Sequence, residues 1–483
     1  MALTLTPSPR RRAIGVQILQ KLSPYTDIYT NSPSRGLRES ITPVSVPTVP
    51  TEPEQRWIRT DAPCARHIND KAPFSLWDND SYDFGKLTKQ EGEWIADAYK
   101  ATKISFEWPI LIITTDQPPR PITLTVGGVP TRFLPPASTP LASLAGTAPY
   151  SNPRMPDPCP AITWPNHLNP TRHQMNELIK TLQAFASIKK VYFFSYHITV
   201  ELDVEDGVTY KPKSLPGKVG GKLTTYHHSN EAFFNTMNSH GRERVIDPAN
   251  YQTAGTSATL PNDDTDYLAN SNLITPGVKV SSGQLMNAGP LANTSMSTTA
   301  GVFLRKGSQI RLTVAHHGFL GSTNVHHPNP TSQVIGQIVE TYPELDIAMV
   351  QMTPANQGRA SNSQYFQAEV PRRLVGGSEL RKWDWYELDS MSTGLLALFC
   401  DGITLAHPVR PAGHPKIKVS EWKPEAVLQV FGASNVTMRD GLCGAPIVSI
   451  GGGEVVGFFH LGNGMMAQSA TLDDLVAEGW ELK

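Results

Sequence analysis

The sequence predicts a multidomain chain: an all-β C-terminal half, preceded by a smaller α/β or α+β domain and a disordered N-terminal tail. Three observations predict it. The 483 residues exceed what one hydrophobic core normally supports. The 41 prolines exceed the usual share of about 5%, so much of the chain is loop or linker. From residue 273 onward, short apolar, β-branched runs recur with turn residues between them and no long helical period, which describes a sandwich or a pair of barrels.

Residues 1–55 are rich in Ser, Thr and Pro and end in Ile41-Thr42-Pro43-Val44-Ser45-Val46-Pro47. Such a segment buries too little apolar surface to offset its ordering entropy, so a disordered tail is expected. Residues 56–215 carry the α/β or α+β pattern. Thr88-Lys89-Gln90-Glu91 has the form of a capping box, followed by Trp94, Ile95, Ala98 and Tyr99 on one helical face. Pro109 to Thr115 suits a buried strand, and Ile122 to Val126 alternates up to a turn at Gly127-Gly128. Residues 135–165 read as a loop or lid. A second helix is expected from Asn169-Pro170 to about Lys189, with Met175, Leu178, Ile179, Leu182, Phe185 and Ile188 as its buried stripe. Val191 to Val204 reads as one long strand. Residues 216–272, polar and aromatic without period, read as a connector, and 273–483 form the all-β domain.

Charge and cysteine usage exclude several functions. With 42 basic and 43 acidic residues and a formal net charge of −1, nothing marks a nucleic-acid or anionic-membrane surface. No apolar run is long enough to span a bilayer. Cys64, Cys159, Cys400 and Cys443 are scattered, without a C-x-x-C pair, which favours a reducing, intracellular and most simply cytoplasmic setting. Arg10, Arg11 and Arg12, with no acidic residue before Asp27, leave mitochondrial import as the lesser option; no secretory h-region is present.

Chemistry concentrates in three stretches of the all-β half. Arg311-Leu312-Thr313-Val314-Ala315-His316-His317 is an apolar strand ending in histidine. Leu345-Asp346-Ile347-Ala348-Met349-Val350 sets a carboxylate before an apolar strand. Gly441-Leu442-Cys443-Gly444-Ala445-Pro446 places a thiol in a glycine turn, where backbone N–H groups can approach a reacting carbonyl closely. A buried cysteine in such a turn is more often a packing residue, so the partner stretches decide its reading.

In this order the three stretches resemble the chymotrypsin-like (trypsin-like) peptidase superfamily over about residues 273–470. A cysteine in the nucleophile position is similar to the chymotrypsin-fold cysteine proteases of positive-strand RNA viruses. The resemblance implies a double β-barrel with the site between the barrels. It implies His316 as base and acid, Asp346 as the residue that orients it, and Cys443 as nucleophile, with the N–H groups of Gly441 and Cys443 as oxyanion hole. His316 is preferred to His317 because it follows Thr-Val-Ala directly. Glu454 to Gly464 resembles the strand walling the specificity pocket, so His460, assisted by Thr437, would bind a substrate side chain. A neutral imidazole there would prefer glutamine and a protonated one glutamate. His460 as a satisfied strand-end residue is the alternative. Leu442 stands where secreted relatives carry an aspartate that pairs with a newly cut N-terminus, so zymogen-style activation is not expected.

The expected function is therefore a cysteine endopeptidase working through a thioester acyl-enzyme on a protein or peptide substrate, with no cofactor. No metal is expected at His316, His317, His326 and His327, since adjacent histidines cannot easily share one ion. The competing expectation is an inactive pseudoprotease that serves as an interaction scaffold, with the N-terminal domain binding a protein partner.

Overall fold

The computed structural model describes residues 67–68, 70–78, 83–84, 87–136 apart from 108, 120 and 121, and 149–203. It further describes 209–228, 244–246, 273–284, 295–408 apart from 320 and 329, 418–431, 441–462 and 466–483. The expected tail 1–55, Cys64 and Thr437 lie outside the described residues. Among those described, strands dominate and three α-helices occur, Lys89–Tyr99, Arg172–Gln183 and Asp473–Ala477. No helix is long and apolar enough to cross a membrane.

The first helix begins as expected: the Thr88 side chain accepts from the Glu91 N–H, and the Glu91 carboxylate reaches back to the Thr88 N–H at 2.7 Å. Its buried side chains are Ile95 and Tyr99. The second helix starts two residues later than Pro170, because Thr171 and Gln174 form its capping box. It stops at Gln183, and from Ile188 the chain is already extended. Phe185 and Ile188 thus leave the expected helical stripe: Phe185 is exposed and Ile188 is buried in a strand. The single strand expected over Val191 to Val204 is a hairpin, Ile188–Phe194 antiparallel to His197–Leu202. Its turn is held by Ser195, whose hydroxyl accepts from Trp383 Nε1 at 2.6 Å and contacts Asp401.

A sheet of nine strands runs in the order Arg244–Ile246, Ser295–Thr299, Lys279–Gln284, Asn324–His326, Val334–Tyr342, Ile347–Met352, Gln309–Ala315, Phe303–Lys306, Glu481–Leu482. A larger sheet of 12 strands begins with Lys218–Val219, Lys222–His228, His197–Leu202 and Ile188–Phe194. It continues through Leu396–Ala406, Trp385–Leu388, Pro446–Ser449, Glu454–Phe458 and Arg373–Leu374. Lys423–Phe431 lies along the other edge of Leu396–Ala406 and pairs onward with Met466–Ala470.

Leu396–Ala406 is the seam of the molecule. Its first part pairs with Trp385–Leu388 and its last part with Ile188–Phe194. The two parts meet at a bulge near Gly402, where any Cβ would collide with the carbonyl of Phe193. Sheet pairing therefore crosses the boundary expected at 216–272, and Lys222–His228 is a strand inside that expected connector. The cores cross it too. Leu178, Ile179 and Leu182 of the second helix share a cluster with Ile403, Leu405 and Trp422. Ile95, Leu111 and Ile113 share another with Trp383, Trp385 and Phe399. Apolar runs such as Ile110–Thr114 predict burial but not against which sheet, which is why sequence patterning separates these halves and packing does not.

Candidate active site

The strand Gln309–Ala315 is buried from Leu312 onward and pairs with Ile347–Met352, setting Ala315 opposite Ile347. One residue beyond each end of that pairing lie His316 and Asp346. The His316 N–H donates to the Asp346 carbonyl at 3.0 Å, extending the pairing by one bond. The chain then enters a 3-10 turn, His316–Phe319. Asp346 closes a turn over Pro343–Leu345 in the left-handed conformation, φ 54° and ψ 38°, which short polar side chains tolerate better than most.

This turn geometry selects the histidine. Asp346 Oδ1 accepts the His317 backbone N–H at 2.9 Å, and Oδ2 lies 2.6 Å from His317 Nδ1. The partner of Asp346 is thus His317 rather than the expected His316. The strand ends at Ala315, so the backbone of His316 is spent on the Asp346 carbonyl and the following residue meets the carboxylate. Sequence position after Thr-Val-Ala could not reveal a turn that begins at His316 itself. His317 Nε2 is buried and has no hydrogen-bond partner among the described residues.

Burial of Asp346 disfavours its charge, but the His317 hydrogen bond, with the nearby His460, outweighs it and holds the carboxyl below its ordinary value. The carboxylate is thereby kept ionised, and it selects the tautomer with hydrogen on Nδ1. That leaves Nε2 as an acceptor.

The glycine loop docks onto this pair through Thr299, the last residue of Ser295–Thr299. Thr299 Oγ1 donates to the Gly441 carbonyl at 2.7 Å, and its N–H donates to the Cys443 carbonyl at 2.9 Å. Gly441 and Gly444 have φ of 91° and 92°, conformations that require glycine. At Gly444 a Cβ would also collide with the Thr299 carbonyl and crowd the Ala315 nitrogen. The loop therefore rests directly on the strand end that carries the histidines. Nothing in the sequence singles out Thr299, since Ser295-Met296-Ser297-Thr298-Thr299 is polar.

His460 completes the cluster. Its N–H donates to the Gln468 carbonyl at 3.2 Å, and its own carbonyl lies 3.4 Å from Cys443 Sγ. Its ring stacks on His317 with centroids 6.1 Å apart, and Nε2 is 4.0 Å from Asp346 Oδ2. The side chain remains 33% exposed. Burial lowers its pKa from the ordinary 6.5 in spite of the Asp346 carboxylate, so the ring is neutral at pH 7. His317, Asp346 and His460 offer ligand atoms all within 4.8 Å of one another, the one such trio among the described residues that could hold a metal ion. Of the other histidines considered as ligands, His326 and His327 lie apart from it, their Nδ1 atoms 2.8 Å from the Ser332 carbonyl and 2.6 Å from that of Lys279.

No family model matches the chain, and no curated protein sequence matches it. Solved structures do. A glutamic-acid-specific serine protease, described as using a histidine triad in substrate binding, aligns with 12% identity and a TM-score of 0.28, over 44% of this chain and 100% of its own. Thermobifida fusca Protease A aligns with 17% identity and a TM-score of 0.29, over 44% and 98%. A Nocardiopsis protease aligns with 16% identity and a TM-score of 0.27, over 44% and 98%.

Proposed function

We propose that the chain is a cysteine peptidase of the chymotrypsin-like superfamily, with Cys443 as nucleophile, His317 as general base and Asp346 as the carboxylate that orients it. The observation that carries this reading is the 2.6 Å contact between His317 Nδ1 and Asp346 Oδ2, which leaves Nε2 unpaired, while the loop of Cys443 rests on the strand end that precedes the histidines. A double barrel is supported by strand order. Numbered along the chain, the six strands from Lys279–Gln284 to Ile347–Met352, leaving out Ser295–Thr299, pair as one-four-five-six-three-two. The six from Trp385–Leu388 to Met466–Ala470, leaving out Leu461–Gly462, pair as five-four-one-two-three-six. Closed into rings, both read one-two-three-six-five-four. Closure of the second is favoured at Gly457, where a Cβ would collide with the Ser469 side chain.

In the proposed reaction His317 Nε2 takes the Cys443 proton as sulfur attacks the scissile carbonyl carbon. The N–H groups of Gly441 and Cys443 hold the resulting oxyanion. Collapse breaks the C–N bond, His317 returns the proton to the leaving amine, and a thioester remains. Water, deprotonated by the same nitrogen, then attacks the thioester, releasing the acid and the thiol. The neutral His460, one-third exposed beside Cys443, favours a glutamine side chain before the scissile bond over glutamate.

One observation favours the inactive scaffold instead: Cys443 is fully buried, as a packing residue would be. A glutamine-containing peptide substrate separates the two. The peptidase reading expects cleavage after glutamine by the intact chain and none by Cys443→Ala. Equal cleavage by both, or none by either, supports the scaffold.

A further inference from the structure

Behind His460 the wall of the site is built partly from the first half of the chain. Lys190, on Ile188–Phe194, is largely buried and forms an ion pair with Glu425 at 2.8 Å. Its ammonium also donates to Gln468 Oε1 at 3.3 Å. Gln468 is the residue whose carbonyl accepts the His460 N–H, so one residue separates the ion pair from the candidate pocket histidine. Tyr192, two residues along the same strand, packs with Phe194, Val427 and Met466.

A buried ion pair contributes little net stability, because desolvation offsets most of its attraction. Its local effect is different: while both members are present their charges cancel, and removal of either leaves a net charge in a region of low dielectric. The groups whose charges act on the His460 ring are Asp346 and His317 from the catalytic side, and Glu425 and Lys190 from behind. Asp346 and His317 are committed to each other, which leaves the Lys190–Glu425 pair as the adjustable part of the field.

We infer that Lys190 and Glu425, linked to His460 through Gln468, are specificity-determining residues: their cancelling charges keep the pocket selective for uncharged glutamine over glutamate. The inference rests on the peptidase reading and deepens it. It also makes the first half of the chain part of the specificity machinery.

The test uses the full chain and two peptides that differ only in Gln or Glu before the scissile bond, compared at pH 8, where His460 is neutral. Glu425→Gln leaves the Lys190 cation uncancelled and should raise the Glu:Gln ratio of kcat/KM by roughly tenfold, whereas Lys190→Met leaves the Glu425 anion and should lower it by about threefold. The double variant should return to within about twofold of the original ratio. By histidine NMR, the His460 titration should move up in Lys190→Met and down in Glu425→Gln. Should Lys190→Met fail to fold, Glu425→Gln and the double variant carry the comparison. A ratio that is unchanged, or that moves the same way in both single variants, overturns the inference and leaves the peptidase reading standing. A parent chain that cleaves neither peptide overturns both.

Discussion

Two acid–base pairs flank His460, and they differ in what they leave unsatisfied. In His317–Asp346 each carboxylate oxygen has a contact to the same histidine residue, while the far ring nitrogen, Nε2, is buried and unpartnered. In Lys190–Glu425 the cation is shared between Glu425 and Gln468. The difference teaches where chemistry can occur. A buried polar atom without a partner costs free energy, and here that atom is the ring nitrogen of the proposed base. The Lys190–Glu425 pair offers no comparable proton acceptor to a substrate, and what it supplies is a field.

The largest expected effects break the first pair. Cys443→Ala should abolish turnover, a loss of roughly 10⁶-fold in kcat, and His317→Ala should cost about as much, because nucleophile and base act as a unit. His316→Ala should stay within about threefold, since the contact His316 makes to the pair is through its backbone. Asp346→Asn should lower kcat by roughly 10⁴-fold, because an amide no longer selects the tautomer with hydrogen on Nδ1. Steady-state kinetics on one glutamine peptide measure all four.

The histidine exchange shows what was legible in the sequence and what was not. Three stretches in order, through the resemblance they carry, point to Asp346 and the glycine loop as site candidates. Which of two adjacent histidines faces Asp346 depends on whether the strand ends at residue 315 or 316. That is decided by a 3-10 turn and a left-handed aspartate, neither of which leaves a pattern in composition. The pairing that links the first half of the chain to the second is hidden in the sequence for a related reason. Val191 to Phe194 reads correctly as apolar and extended, but the partner of that strand, Leu396–Ala406, lies some two hundred residues away and is found only from pairing. Lys190 was invisible as a functional residue because nothing local distinguishes it from the exposed Lys189 beside it.

Smaller effects sharpen the comparison. Gly444→Ala should destabilise the fold by on the order of 2 kcal/mol or more, because φ is 92° and the Thr299 carbonyl occupies the space a Cβ needs. Chemical denaturation measures it. Asp346 also predicts an acid limb in stability. Its folded pKa lies below the ordinary 3.8, so its contribution is complete above that value and is lost as pH falls through the lowered one. Asp346→Asn should flatten that part of the profile. By contrast, Arg305→Ala, which removes a 2.7 Å ion pair whose members are 50% and 63% exposed, should change stability by no more than about 0.5 kcal/mol.

Labelling of Cys443 by a thiol-reactive glutaminyl peptide probe, read by mass spectrometry of the modified residue, tests the pairing of thiol and base most directly. Labelling is expected at Cys443 well above Cys64, Cys159 and Cys400, retained in His316→Ala and lost in His317→Ala. Labelling of Cys443 no stronger than of the other three cysteines, or labelling lost in His316→Ala and retained in His317→Ala, would contradict it.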